Sequence, residues 1–306
     1  MLKIRRFQST VKRQRGLDLL VAGLGLLILF LSLAMLCMVV MNLVYVGAGR
    51  LSWEFLTQFP SRFPQQAGIL SAWVGSTLLM LCTAALAIPL GVGAAIYLEE
   101  YASKRWYSTL IEVSIANLAG VPSIIYGLLA LSVLVYGAGL GQTMLVAGIT
   151  LAMMTFPVIT LATREALRAV PVALREAAWS IACDRRQVVW GYVLPQAWPG
   201  VLTGIIVGLS RAIGEAAPLI ALGALTYVAF LPSLPVQDSF PFINGSWLLE
   251  PFSALPVQMF NWIARPQAGF QQNAAAAGVV LLVLSLLMNV LSMLIRYRLR
   301  QRPVHG

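Results

Sequence analysis

Arg211 and Glu215 are the residues best suited to act on a ligand, because they are charges four residues apart inside an otherwise apolar run. A guanidinium stays charged at physiological pH and presents its N–H groups as a planar fork that matches an oxyanion. A carboxylate beside it would partner the arginine when no anion is present and keep it from holding one too tightly. A charge at mid-bilayer costs at least about 2.5–3.5 kcal/mol, so such a side chain normally faces protein or water. Stepping 100° per residue, Gly200, Gly204, Gly208, Arg211 and Glu215 share one stripe roughly 80° wide. Glycines on that stripe let another helix approach closely or leave room for a solute. Two readings stand: an i, i+4 pair that neutralises itself and fixes helix packing, or the lining of a path for an anion. A buried pair kept for stability alone is usually no better than apolar packing, which favours the path.

The second informative stretch is Glu176-Ala177-Ala178 followed by Leu194-Pro195, in a basic segment between two apolar runs. Pro171 is suited to start a helix there, since its missing N–H costs nothing in a first turn. Leu174, Ala177, Ala178 and Ile181 recur at helical spacing beside Arg175 and Glu176. A second short helix would carry Val188, Val189 and Tyr192, with Pro195 ending it. An apolar stripe facing water needs a cover, either a groove on a partner or the membrane interface.

Catalytic chemistry finds little support. The only histidine is His305, and Cys37, Cys82 and Cys183 form neither a CxxC pair nor a zinc-ligand spacing. No metal site is expected. A GxxxxGK[ST] phosphate loop is absent, so the chain is not expected to hydrolyse ATP. No nucleophile–base pair falls in the apolar runs. Work done by this protein would therefore be powered from outside, and the sequence predicts no enzyme.

The elements that must position these residues are membrane spans. Of 306 residues 59% are apolar and 10% charged, against roughly 25% charged in globular proteins. Mean hydropathy is +0.83. The net charge of +10 is spread over short tails and loops rather than one patch, which argues against nucleic acid. The apolar runs predict about six spans: 17–46, 70–98, 110–135, 143–162, 200–225 and 274–295. The first is too long for a signal peptide core and is expected to stay uncleaved. The third is interrupted at Gly120-Val121-Pro122-Ser123, which is either a broken helix lining a path or a packing kink. Lys and Arg number six before the first span, two before the third, five between the fourth and fifth and four after the last. Only Arg50, Arg62 and Arg265 fall on the other side. This bias places both termini in the cytoplasm. The Pro- and aromatic-rich stretch 226–273 is expected outside, as an interfacial lid or a docking surface.

A resemblance adds to these readings. The hairpin resembles the EAA loop of ABC importer permeases: Glu-Ala-Ala, three residues, Gly, nine residues, Ile, one residue, Leu-Pro. Ala182 stands at the glycine position and Tyr192 at the isoleucine position. Alanine tolerates a left-handed backbone poorly, which bears on the sharpness of that turn. The run Arg211-Ala212-Ile213-Gly214-Glu215-Ala216-Ala217-Pro218-Leu219 is similar to the signature of phosphate-specific ABC permeases, the PstA type rather than PstC, with Ala216 where threonine is usual. Pro89–Ala102, Gly120–Leu128, Ala254–Gln258 and Asn261-Trp262 agree with it.

The resemblance implies an all-α polytopic transmembrane helical bundle of the type I ABC importer permease fold. With the charges and apolar runs it divides the chain into a basic cytoplasmic tail at 1–16, a first span with external segment at 17–66, a permease domain at 67–297 and a cytoplasmic tail at 298–306. Within the domain lie a coupling hairpin, 163–196, and an external loop, 226–273. Glu176, Ala177, Ala178, Ala182, Leu194 and Pro195 would couple to the ATPase, Arg211 and Glu215 would line the path, and Gly200, Gly204 and Gly208 would pack helices. The implied partners are a second permease subunit of the PstC type, two PstB-type ATPase subunits, a PstS-type periplasmic phosphate-binding protein and membrane lipid. The chain binds no cofactor in this reading; ATP and Mg2+ are used by the partner ATPase. The same machine carrying another oxyanion or a phosphonate stays open. So does a different class, an ion channel or structural membrane subunit, which would not need a motor-docking hairpin.

Overall fold

The computed structural model of the protein describes residues 2–103, 105–224, 227–233 and 244–300. Residues 226 and 234–243 of the expected external loop 226–273 and the end of the C-terminal tail lie outside these residues. Every regular element among the described residues is helical. Among the described residues, five helical stretches are long and apolar enough to cross a membrane, Asp18–Arg50, Leu70–Tyr101, Met144–Arg168, Arg185–Ile213 and Ala268–Leu291, or six when the bent pair Trp106–Leu118 and Ser123–Gly137 counts as one span. The protein is an all-α, multi-pass bundle.

Helix α1 (Leu2–Gly47) is continuous, so the expected basic tail is the first part of a helix rather than a separate segment. A short α2 (Trp53–Thr57), capped by the Ser52 hydroxyl, leads to α3 (Leu70–Ile96), which is prolonged by a π-helical turn at Tyr97–Tyr101. The expected third span is two pieces, α4 (Trp106–Leu118) and α5 (Ser123–Ala130), the latter extended by a π turn to Gly137. They meet at 103°. Pro122 starts α5, and the Tyr126 hydroxyl donates to the Leu118 carbonyl at 2.7 Å, which also accepts the Val121 N–H, so the two pieces are tied across the break.

Helix α6 (Met144–Arg168) lies between α3 and α9 (Leu194–Ile213). It runs six residues past its expected end, so the hairpin begins after Arg168 rather than at Thr163. The hydroxyls of its buried Thr150, Thr155 and Thr160 donate back to carbonyls four residues earlier, so they need no other partner. The hairpin is α7 (Val172–Ser180) and α8 (Arg185–Val188). Contrary to expectation, Pro195 does not end the second arm. Helix continues from Arg185 through a π turn at Val189–Val193 into α9. The wider turn just before Pro195 relieves the clash between a proline ring and the carbonyl four residues back.

The expected fifth span also ends early. Helix α9 stops at Ile213, and a separate α10 (Ala217–Leu222) follows, closed by Gly223 at φ 89°. Helix α11 (Leu255–Ile263) lies in the stretch expected to be external loop, yet it buries Leu255, Val257, Gln258 and Trp262 against α3 and α12 (Ala268–Arg300). The last span thus begins at Ala268, and Asn273 is a buried helical residue.

Three apolar clusters stack along α3. Ile69 and Ala72 pack with Phe55, Trp262 and Phe270; Leu78, Leu79 and Met80 with Tyr126, Ile213, Leu219 and Phe252; Ala87 and Ile96 with Ile159, Leu167, Ala178 and Val193. The last cluster joins the hairpin to the spans.

Candidate functional site

The glycine stripe of α9 faces α6. A Cβ on Gly204 would lie 2.5 Å from the Ala162 methyl, one on Gly200 2.6 Å from the Ala166 methyl, and one on Gly208 3.0 Å from Ile159. Gly200, Gly204 and Gly208 therefore set a close helix–helix approach rather than an open lining. Arg211, almost a turn further on, is half exposed at 47% of its side chain. Its Nε lies 3.5 Å from Glu215 Oε1, so the expected pair forms. The geometry differs from an intrahelical pair, because Glu215 lies beyond the end of α9, in the break before α10. Helix termination at Gly214 takes Glu215 off the 100° stripe.

The break is held from behind by α5. A Cβ on Gly127 would lie 2.4 Å from the Pro218 carbonyl oxygen, so α5 and α10 touch backbone to backbone. Gly120–Leu128, Arg211–Leu219 and Ala254–Gln258 are far apart in sequence and meet in one cluster through Tyr126, Ala212, Ile213, Leu219, Ala254 and Val257. The Ser76 hydroxyl ties the third stretch to α3 by accepting from the Leu255 N–H at 2.8 Å. Two broken helices thus back the one arginine that stands among these three stretches.

In the hairpin, Ala178 is buried in the apolar cluster that also holds α3, α6 and α9 residues, while Glu176 and Ala177 are exposed. The expected apolar stripe splits: Leu174 and Ala178 turn toward the bundle, and Ile181 is 67% exposed beside exposed Val172 and Trp179. Val188 and Val189 are buried, Tyr192 is exposed, Leu194 is buried and Pro195 is exposed. Ala182 has φ 61°, and is the one non-glycine residue with positive φ among the described residues. The Cys183 N–H bonds the Ala178 carbonyl and the Ala182 N–H bonds the Trp179 carbonyl, a Schellman pair with Ala182 where glycine is usual. The turn is as sharp as a glycine would make it, and alanine bears the strain. Asp184 and Gln187 then form a reciprocal capping box that starts α8.

Residues 87–304 match the family described as binding-protein-dependent transport system inner membrane component. The chain belongs to that family. The phosphate transport system permease protein PstA of Yersinia pestis is 31% identical to it over 301 residues, 96% of this chain and 94% of that protein. The probable ABC transporter permease protein YqgI of Bacillus subtilis (strain 168) is 30% identical over 243 residues, 79% and 81% of the two chains. Among solved structures, a chain of a bacterial alginate ABC transporter, in complex with an alginate pentasaccharide-bound periplasmic protein, gives a TM-score of 0.66 at 14% identity. That likeness covers 94% of this chain and 97% of the other. The inward-facing MetNI methionine ABC transporter gives 0.57 at 17% identity, over 74% and 94%. These structures share the fold of the permease.

Sequence reasoning missed a charge cluster where the permease spans meet the hairpin. Arg164, with 6% of its side chain exposed, has Nε 3.4 Å from Glu99 and Nη2 2.6 Å from Glu112, the latter close but not aligned as a hydrogen bond. Arg168 Nε lies 3.0 Å from Glu99. Arg175 Nη2 donates to Glu100 at 2.8 Å and to the Leu167 carbonyl at 3.0 Å, while its Nη1 donates to the Val170 carbonyl at 3.1 Å. Two acidic residues, Glu99-Glu100, on the cation-rich side of the membrane were the available signal. On the other face, Arg50 is taken up by Asn273 Oδ1 and the carbonyls of Pro64 and Ala67.

Proposed function

We propose that this permease is one half of a heterodimeric pore that passes inorganic phosphate into the cell by alternating access. A periplasmic binding protein would deliver the anion, and two ATPase subunits, using ATP and Mg2+, would dock on the hairpin and drive the cycle. Both termini would be cytoplasmic. The observation that carries the reading is Arg211: a permanently charged fork at a helix break, engaged by one carboxylate through Nε and otherwise half open. The choice of phosphate draws on the name of the Yersinia relative, which spans nearly the whole chain.

In this mechanism the incoming anion takes the open side of Arg211, and Glu215 takes the guanidinium back once the anion leaves. That exchange keeps a cation from standing unpaired in a low-dielectric setting, where its solvation would be costly. The exposed Val172, Trp179 and Ile181 give the hairpin an apolar face for an ATPase groove. Closure of the ATPases moves the hairpin around Glu176, tilts the spans and turns the Arg211 region outward.

The test is ATP-dependent uptake of labelled phosphate by the complete transporter in proteoliposomes, with arsenate, sulfate and methylphosphonate as competitors. Uptake displaced by arsenate and not by sulfate supports the reading. Uptake displaced better by the phosphonate assigns the pore to that class, and no ATP-dependent anion uptake overturns it. Alkaline phosphatase fused after Arg186 should be inactive and fused at Gly245 active; the reverse pattern would refute the orientation.

A further inference from the structure

We propose that the π-helical turn Tyr97–Tyr101 at the end of α3 is the junction through which movement of the hairpin enters the membrane-spanning bundle, with Glu99, Glu100 and Tyr101 as its positioning residues. The inference rests on the importer reading above and names the part of the spans that is driven. These three residues are consecutive, and each grips a different element. Glu99 holds Arg164 and Arg168 on α6. Glu100 holds Arg175 on α7. The Arg185 guanidinium, at the start of α8, lies 5.5 Å from the Tyr101 ring centroid. Both arms of the hairpin are therefore tied to one turn of one helix.

Covalent connectivity does not explain this arrangement. The second arm already continues as helix into α9. The first arm, α7, joins α6 only through Ala169–Pro171, a non-helical link. Arg175 bridges that link: the same guanidinium bonds the Leu167 and Val170 carbonyls near the end of α6 and the Glu100 carboxylate on α3. Arg175 and Glu100 are 15% and 11% exposed, so salt screens their pairing poorly. A load on α7 then reaches α3 and α6 together, while a load on α8 reaches α9 directly and α3 through Tyr101. π turns interrupt the regular helical ladder and frequently mark functional positions. Here the π turn closes with the Ala102 N–H on the Tyr97 carbonyl at 2.7 Å.

The experiment uses the complete transporter with native cysteines replaced by serine and spin labels at Leu90→Cys on α3 and Ile181→Cys at the hairpin tip. In otherwise wild-type complex the distance between the labels should stay constant between nucleotide-free and ATP-bound states, because the hairpin and α3 move as one body. A change of more than about 3 Å, beyond ordinary local fluctuation, overturns the junction. The Glu100→Ala, Tyr101→Leu double variant should broaden that distance. It should also lower phosphate moved per ATP about tenfold, with ATPase rate held within about twofold. Unchanged distances and unchanged phosphate per ATP in the double variant would also overturn the proposal. If that variant does not assemble, the wild-type distances decide. A wild-type complex that hydrolyses ATP yet moves no phosphate refutes the substrate reading and leaves the distance measurement as the test of the junction.

Discussion

Two arginines of this chain face opposite circumstances. Arg164 is almost fully enclosed and has a carboxylate on each of two neighbouring elements, Glu99 beyond α3 and Glu112 on α4. Arg211 lies at a helix end, is half exposed and meets one carboxylate at 3.5 Å. The first arrangement sets a charge between two carboxylates and ties three elements; the second leaves a charge with one carboxylate and open on one side. A buried cation flanked by two carboxylates serves architecture, whereas a half-exposed cation with one is available to a ligand.

Removing each of these arginines in turn is the strongest way to break the contrast. Arg211→Gln should lower phosphate uptake by about 100-fold or more while the complex still assembles, because the fork for the anion is gone. Labelled-phosphate uptake beside size-exclusion of the solubilised complex reads both effects. Arg164→Leu should do the converse: it strands Glu112, leaves Glu99 to Arg168 alone and should cost about 2–3 kcal/mol, less than a fully buried break because Glu112 is about a third exposed and Glu99 keeps one partner. Thermal unfolding in detergent measures that loss. Comparable uptake losses with unchanged melting in both variants would dissolve the distinction.

Smaller effects sharpen it. Glu176→Lys, on the exposed face of α7, should cut phosphate moved per ATP about tenfold with little change in melting. Equal transport-to-ATPase ratios in variant and parent would remove Glu176 from docking. Ala182→Gly should stabilise the hairpin by about 0.5–1 kcal/mol, since glycine removes the left-handed strain at φ 61° and gives back part of the gain as unfolded-state entropy. Hydrogen exchange of the Ala178–Cys183 amides should slow accordingly. Smallest of all, Arg168→Leu should shift stability by less than about 1 kcal/mol, because its side chain is half exposed although it meets the same Glu99.

The spans were legible because twenty-residue apolar runs have few other uses, and the hairpin because charges and a helical stripe interrupt them. The course of the chain through Pro195 was not. A proline ordinarily marks a helix end, and the π turn that accommodates it has no composition of its own. Helix α11 was hidden for a related reason: Pro256, Trp262 and their neighbours read as an external loop, but packing against α3 and α12 makes them a buried helix. Arg211 and Glu215 were legible as a pair, while the break between them was not, since Gly214 alone seldom stops a helix. The Glu99–Arg164 contact joins residues 65 apart in sequence, a distance over which residue spacing carries no signal. Ala182 shows the reverse, a strained turn whose position was readable and whose geometry survived the less suitable residue.

The bare contact between Gly127 and the Pro218 peptide also constrains movement. With no side chain larger than the Ala221 methyl at that contact, the short helices on either side have little cushion over which to slide. Like meshed teeth, they must turn together or separate altogether. Any rearrangement that widens the surroundings of Arg211 by displacing α10 must therefore also shift the 103° corner at Gly120–Ser123. A bulky residue at position 127 would act as a wedge between them, and it would jam both corners at once.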